Sequence, residues 1–249
     1  MQGEICRVVH LRSIYFYFAQ NDDPDQLSRT AGKTVQLWPQ CGLWRKLPEE
    51  REESGRVTGG RSVEHGLLPW QASIRLQGPS QSYHHCGAII ISPYHLLTAA
   101  HCLWPHRDNK ELYYVRVGDN ALQIKDDGEE EYAIGKVHFH ENYDVGPDQN
   151  NDIAVVQIDK VKHSEGINFG DKVIPACLPQ KDADYSSRAN VTVSGWGKTN
   201  FGSNTVSRLQ MVTVPIIDSD VCRTEKVYGE ERISHGMFCA GRLEVRFCW

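Results

Sequence analysis

Short runs of alternating apolar and polar residues constrain the fold of this chain more than any other feature. The clearest run follows Pro69, where every second residue is apolar: Trp70, Ala72, Ile74 and Leu76. This period of two is the signature of a strand with one buried face. Further β-rich runs, separated by turn residues, lie at 88–91, 113–117, 153–158, 191–194 and 209–214. Many short strands without long helices predict an all-β fold, either an antiparallel sandwich or a barrel.

Length and charge exclude several functional classes. The 249 residues can form one large domain or two of about a hundred residues each. The net charge of −5 does not attract phosphate groups, so a nucleic-acid partner is disfavoured. No apolar run approaches the roughly 18 residues that cross a bilayer, so we expect no membrane span. Residues 14–18 are apolar, but the run is short and charged residues precede it, which is atypical of a signal peptide.

A histidine and an aspartate are candidates for proton transfer. His101 follows an apolar strand end and the small residues 98–100, and histidine suits proton transfer because its ordinary pKa is about 6.5. Asp152 precedes the apolar run 153–156, where a buried carboxylate needs a partner such as an imidazole N–H. Taken singly, His101 has the alternative of a structural or surface residue, and Asp152 that of a turn or capping residue.

Several short motifs occur in an order that is typical of one protein family. Thr-Ala-Ala-His-Cys at 98–102, Asn-Asp-Ile-Ala at 151–154 and Ser-Gly-Trp-Gly at 194–197 resemble, in order and spacing, the trypsin-like (chymotrypsin-fold) serine proteases. Arg-Val-Thr-Gly-Gly at 56–60 and Leu-Pro-Trp-Gln at 68–71 look like the activation site and first strand of that family. The resemblance implies two six-stranded antiparallel β-barrels with the active site in the cleft between them.

The resemblance extends over residues 41–241 and implies a division of the chain. Residues 1–56 would be an N-terminal extension and pro-segment, and residues 57–249 would be the peptidase domain. Within that domain the first barrel would span 57–173 and the second 174–249. The family and the cysteine content imply an extracellular or secreted protein.

The resemblance also implies roles for particular residues. His101 would be the general base and acid, and Asp152 would orient it. An activating protease would cleave between Arg56 and Val57. The substrate would be a protein or peptide, and the reaction would be serine-type hydrolysis of peptide bonds.

The nucleophile does not follow the family pattern. In this family the serine lies in a Gly-Asp-Ser-Gly-Gly segment about ninety residues beyond the aspartate, which places it near position 245. Residues 237–241 still resemble the family, but residues 244–249 read Glu-Val-Arg-Phe-Cys-Trp. Ser194 is no substitute, because it belongs to the Ser-Gly-Trp-Gly motif. We therefore expect the second barrel to be incomplete and residues 1–249 to be inactive as they stand. The alternative function is a non-catalytic protease homologue that binds a protein or regulates one.

Eight cysteines suit a disulfide-stabilised secreted domain. The resemblance implies three pairs, which are Cys86-Cys102, Cys41-Cys177 and Cys222-Cys239. Cys6 has no family counterpart, and Cys248 would lack its downstream partner, which leaves both as thiols that could mispair or exchange.

Metal and modification sites are the remaining candidates. His84, His85, Cys86, His101 and Cys102 carry zinc-ligand types but lack the short Cys-x-x-Cys pattern, so disulfides are the favoured explanation of the sulfurs. In some family members the corresponding acidic loop binds Ca²⁺; here its residues are Asp119, Asp126, Asp127, Glu129, Glu130 and Glu131. Asp119, Asp126 and Glu130 are the calcium candidates, a solvated acidic loop is the alternative, and no other cofactor is expected. The triplet Asn190-Val191-Thr192 matches the N-glycosylation acceptor pattern and lies in a predicted strand.

Overall fold

The computed structural model describes residues 41–42, 60–179, 189–197, 206–234 and 236–241. The strands are β1 (Arg61–Ser62), β2 (Gln71–Gln77), β3 (Ser82–Ser92), β4 (His95–Thr98), β5 (Tyr113–Val117), β6 (Glu130–Phe139), β7 (Ala154–Ile158), β8 (Asn190–Gly195), β9 (Gln210–Ile217) and β10 (Cys239–Ala240). The helices are α1 (Ala100–Leu103) and α2 (Ser219–Cys222), with 3₁₀ turns at Trp104–His106 and Lys110–Leu112. No helix in these ranges is long and apolar enough to cross a membrane.

Six antiparallel strands close into a barrel in the order β2-β3-β4-β7-β6-β5. The two-residue alternation determines which side chains fill it: in β5, Tyr113, Val115 and Val117 are buried, whereas Tyr114 and Arg116 are partly exposed. The interior is built from aliphatic side chains, among them Ala72, Ile74, Ala88, Ile90, Leu96, Val156 and Ile158. Of the two all-β architectures that periodicity leaves open, this part of the chain adopts the barrel.

A second, smaller sheet follows the barrel. β9 is its central strand and pairs with β1, β8 and β10, all antiparallel. Over the described residues this sheet has four strands and is not closed. The prediction of an all-β, trypsin-like double barrel is therefore confirmed, with one barrel closed and the second sheet open over those residues.

An apolar cluster joins the barrel to the second sheet. It contains Val63, Leu67, Leu68, Trp70, Ile89, Ala176, Trp196, Leu209 and Met211. Trp196 is 1% exposed, and its Nε1–H donates to the backbone oxygen of Asn120 at 2.9 Å. Ser194 Oγ donates to Gln71 Oε1 at 2.8 Å. Buried polar groups at this junction are thus paired, as burial requires.

Two disulfides hold segments outside the closed barrel. Cys41 is joined to Cys177, with the two Cα atoms 4.9 Å apart, and Gly42 N–H donates to the backbone oxygen of Pro175 at 2.9 Å. Cys222, at the end of α2, is joined to Cys239 of β10. These links fasten residues 41–42 to the segment after the barrel and α2 to the second sheet.

Candidate active site

Two strand ends bring His101 and Asp152 together. β4 ends at Thr98, which pairs with Ala154 at the start of β7. Because these strands are antiparallel, the residues that follow β4 and those that precede β7 lie at the same end of the barrel. His101 lies in α1 just beyond Thr98, and Asp152 lies just before Ala154. Two residues 51 positions apart in the sequence therefore become neighbours.

Asp152 contacts His101 through both carboxylate oxygens. Its Oδ2 lies 2.6 Å from Nδ1 of the imidazole, and its Oδ1 accepts the backbone N–H of His101 at 2.8 Å. The Asp152 side chain is 5% exposed and that of His101 is 21% exposed. An ionised carboxylate accepts hydrogen bonds and donates none. The neutral imidazole therefore carries its proton on Nδ1. Its Nε2 lies 3.6 Å from Cys102 Sγ, but a disulfide sulfur has no proton to donate, so the lone pair of Nε2 can accept a proton.

A tight turn aims the Asp152 carboxylate. The preceding residue, Asn151, has a left-handed backbone with φ of 53°, a conformation that asparagine adopts more readily than most residues. Its side-chain Nδ2–H donates to the backbone oxygen of Asn142 at 2.9 Å, and its own carbonyl accepts from Ile153 N–H at 2.8 Å. Sequence reasoning assigned no role to Asn151, although its place beside Asp152 in the motif was the available signal.

A buried disulfide holds the helix that carries His101. Cys86 of β3 is joined to Cys102 of α1, with Cα atoms 6.2 Å apart. His85 Nε2–H donates to the backbone oxygen of Cys102 at 2.9 Å, and burial lowers the pKa of His85. Because Cys102 directly follows His101, these two contacts fix α1 against β3.

The residues with zinc-ligand types serve other purposes. Cys86 and Cys102 share a disulfide, whereas zinc binds cysteine as the thiolate. His84 Nδ1 lies 2.7 Å from Ser73 Oγ, and its ring packs edge-on against Trp196 with centroids 5.1 Å apart. Burial is the main cause that lowers the pKa of His84 to about 3, so this imidazole is neutral at physiological pH.

The activation-site residues Arg56 and Val57 lie outside the described residues, as do Cys6 and Cys248. Ser194 lies in β8, is 9% exposed and is bonded to Gln71, which fits a structural role.

Three carboxylates meet in the acidic loop after β5. One oxygen each from Asp119, Asp126 and Glu129 lies within 4.8 Å of the others. Asp126 Oδ2 accepts the backbone N–H groups of Asn120 and Ala121, both at 2.7 Å. The Asp119 carboxylate is fully buried, and neither of its oxygens has a hydrogen-bond partner. Burial, followed by the charge of Glu129, raises the pKa of Asp119 to about 6.

Glu130, which the sequence analysis chose as a calcium candidate, points elsewhere. Its carboxylate accepts the Tyr132 hydroxyl and the Asn168 Nδ2–H. The β5–β6 register places Arg116 opposite Glu131, and Arg116 Nε also lies 3.1 Å from Glu129. Successive residues of a strand face opposite ways, so Glu130 and Glu131 of β6 point to opposite sides. Glu129, just before β6, contacts Arg116 as Glu131 does, so these two carboxylates share one side. Glu129 therefore replaces Glu130 in the cluster.

One family model and two known proteins are similar to this chain in sequence. The trypsin family model matches residues 57–246. The chain is 36% identical over 191 residues to transmembrane protease serine 11C of Mus musculus, which covers 77% of this chain and 41% of that protein. It is 31% identical over 186 residues to trypsin-1 of Astacus astacus, which covers 74% of each chain. The chain thus spans less than half of the length of the mouse relative.

Three observations point to the same family. The barrel is closed, an imidazole is bonded to a buried carboxylate at its end, and the family model matches most of the sequence. The chain belongs to the trypsin family of serine proteases.

Proposed function

We propose that this chain is the peptidase domain of a serine-type endopeptidase, with His101 as general base and acid and Asp152 as its orienting carboxylate. The observation that carries the proposal is the pair of contacts from Asp152, one to Nδ1 and one to the backbone N–H of His101. Together they fix both the proton position and the direction of the ring. Such a base contributes about 10²–10⁴-fold to a rate.

The proton path follows from this geometry. His101 Nε2 accepts the proton of the attacking hydroxyl, and the imidazolium that forms is stabilised by the Asp152 carboxylate. The same nitrogen then returns the proton to the amine that leaves when the peptide bond breaks. The nucleophile of this family belongs to a Gly-Asp-Ser-Gly-Gly segment, which residues 1–249 do not contain. We therefore propose that a polypeptide of these residues alone does not hydrolyse peptide bonds.

The experiment is hydrolysis of peptide esters by purified residues 1–249. The expected rate equals that of buffer and does not change when His101 is replaced by alanine. His138→Ala is the matched control, because His138 is an exposed histidine of β6. Turnover that His101→Ala abolishes and His138→Ala preserves would show that these residues hydrolyse esters without the family's serine segment.

The non-catalytic homologue is the second candidate, and the observation that favours it is that residues 244–249 read Glu-Val-Arg-Phe-Cys-Trp where the family's serine segment is expected. Such a protein would use the barrel surface to bind a protein partner. Binding of a protein ligand that survives both His101→Ala and Asp152→Asn would support this function, because a homologue of this kind does not need the base. Binding that either exchange abolishes would count against it.

Activation is proposed at the Arg56–Val57 bond, by another protease, in an extracellular setting. The division into residues 1–56, 57–173 and 174–249 is part of this proposal. The Cys41–Cys177 disulfide would keep the cleaved pro-segment attached until reduction. N-terminal sequencing after limited proteolysis should find a new end at Val57; cleavage only at other bonds would contradict the proposal.

We also propose Ca²⁺ at the cluster formed by Asp119, Asp126 and Glu129. The observation that fits is that the buried oxygens of Asp119 have no hydrogen-bond partner, because a hard cation binds carboxylate oxygens and would offset their burial. Arg116 Nη1 lies 3.8 Å from Asp119 Oδ2, so a guanidinium already supplies part of the positive charge. The ion would brace the loop between β5 and β6 and take no part in proton transfer.

Calcium is expected to raise the melting temperature of residues 1–249, and a chelator to reverse the rise. At a concentration 100 times the dissociation constant, a ligand of the native state adds about 2.7 kcal/mol. Glu129→Gln should remove most of the gain, whereas Glu130→Gln should keep it. Differential scanning calorimetry provides the measurement. An equal gain in both variants, or none in the parent chain, would contradict the assignment.

A further inference from the structure

The acceptor triplet for N-glycosylation is divided between exposed and buried residues. Asn190 is exposed at the first position of β8, whereas Thr192 is 6% exposed. The 249 residues contain no other Asn-x-Ser or Asn-x-Thr triplet. Any N-linked glycan on this chain can therefore be assigned to Asn190.

The hydroxyl of Thr192, which the acceptor triplet requires, is held in a contact between two strands of the sheet. Thr192 pairs with Thr213 of β9, and their hydroxyl oxygens lie 3.2 Å apart within hydrogen-bond distance. The strand cannot turn at this point without breaking the sheet, because the neighbouring residues Val191 and Val193 belong to the apolar cluster beneath it. The folded strand therefore presents the asparagine to solvent but not the hydroxyl.

N-glycosylation depends on both groups, since the motif specifies the asparagine and the hydroxyl residue two positions later. In an extended strand both side chains point to one side, and a transferase must approach them together. In the folded chain it would have to pull β8 away from β9 first. In the unpaired chain it meets no such barrier.

From these contacts we propose that Asn190 carries an N-linked glycan, which is attached before β8 pairs with β9. The oligosaccharide comes from a lipid-linked oligosaccharyl diphosphate. The bond between its anomeric carbon and the diphosphate oxygen breaks, a bond from that carbon to Asn190 Nδ2 forms, the lipid diphosphate leaves and the amide loses one proton. The proposal rests on the extracellular route proposed above and not on proteolysis.

The finished sheet accommodates the product. Asn190 is the first residue of β8, and its register partner is Pro215, a residue without a backbone N–H. Because the Asn190 side chain is exposed, the glycan extends into solvent and leaves the core residues of the sheet in place. The order of events therefore does not prevent folding afterwards.

Occupancy is tested by expressing the chain behind a cleavable secretion leader in mammalian cells and treating whole lysate and medium with an N-glycosidase. The expected result is a mass loss of one glycan, which is absent in Asn190→Gln and Thr192→Val. Thr192→Ser keeps the acceptor hydroxyl and should keep the glycan, and Thr213→Val is the matched control that leaves the triplet intact. Because attachment precedes folding, chains that fail to fold should also carry the glycan, and the lysate includes them in the measurement. A chain without glycan in both fractions would overturn the proposal.

The order of events is tested with a purified oligosaccharyltransferase and its lipid-linked donor. The acceptor is the chain made in bacteria, presented either folded with its disulfides or reduced and unfolded. Modification of the folded chain should be at least about tenfold slower, because local opening of the sheet must come first. Equal rates in the two states would show that attachment does not need an unpaired β8.

Discussion

Replacing Asp152 by asparagine is expected to reverse the tautomer of His101. Oδ1 of Asp152 accepts the backbone N–H of His101, and the asparagine oxygen can take over that contact. Its amide NH₂ then faces Nδ1 of the ring, where the second carboxylate oxygen lies at 2.6 Å in the parent chain. Because an NH₂ donates, Nδ1 has to accept and the ring proton moves to Nε2. The nitrogen that should act as base is then blocked.

The tautomer is measured by ¹⁵N NMR of the labelled imidazoles in residues 1–249, which needs no catalytic turnover. In the parent chain Nδ1 should be the protonated nitrogen of neutral His101, and in Asp152→Asn it should be Nε2. In a catalytically competent chain of this family, the same exchange lowers kcat about 10⁴-fold while the geometry stays intact.

Asp148→Asn is the control, because Asp148 is an exposed carboxylate of the same loop and the chemical change is identical. It should leave the His101 spectrum unchanged. A parent chain with its proton on Nε2, or an Asp152→Asn variant with the parent tautomer, would refute the proposed role of Asp152.

Trp196→Ala is expected to lower the free energy of unfolding by about 3–5 kcal/mol, the usual range for deletion of a buried aromatic side chain. Trp196 is fully buried between the barrel and the second sheet. The exchange leaves a cavity and removes the hydrogen bond to Asn120. The Asn120 carbonyl keeps a second bond, from Leu209 N–H at 2.9 Å, so lost packing should dominate the effect.

Urea unfolding measures this effect as a lower midpoint with an unchanged slope. Trp104→Ala is the control, because Trp104 is 39% exposed and packs at the barrel surface, edge-on against Phe139 and Tyr143 and beneath the guanidinium of Arg107. It should cost less, about 1–3 kcal/mol, because each of its two aromatic pairs contributes about 0.5–1.5 kcal/mol. Equal losses in the two variants would mean that the cluster around Trp196 does not hold the two sheets together.

The barrel could be predicted because strand periodicity is local information. The alternation at residues 113–117 indicates which face of the strand is buried, and β5 follows it. The prediction of a single buried face after Pro69 is wrong for β2, because the polar residues Gln71, Ser73 and Arg75 are buried as well as the apolar ones. Periodicity does not reveal which strands pair, because pairing depends on contacts between distant segments. The choice of a barrel over a sandwich therefore needed the family resemblance first and the structure afterwards.

The candidate site was likewise predictable only in its local sequence features and not in its strand pairing. His101 and Asp152 were named from their motifs, but the β4–β7 register that brings them together cannot be read from either segment. Glu130 was chosen over Glu129 because a run of acidic residues does not show where a strand begins. β6 begins at Glu130, and its pairing with β5 determines which carboxylates turn toward Arg116 and Asp119.

The most direct test of the endopeptidase assignment is the sequence of the native transcript through its 3′ end. We expect a reading frame that continues after Cys239-Ala240-Gly241 into a Gly-Asp-Ser-Gly-Gly segment, because the proposed base His101 needs a nucleophile beside it. A message that ends after the codon for Trp249 in every tissue that expresses it would contradict the assignment and favour the non-catalytic homologue.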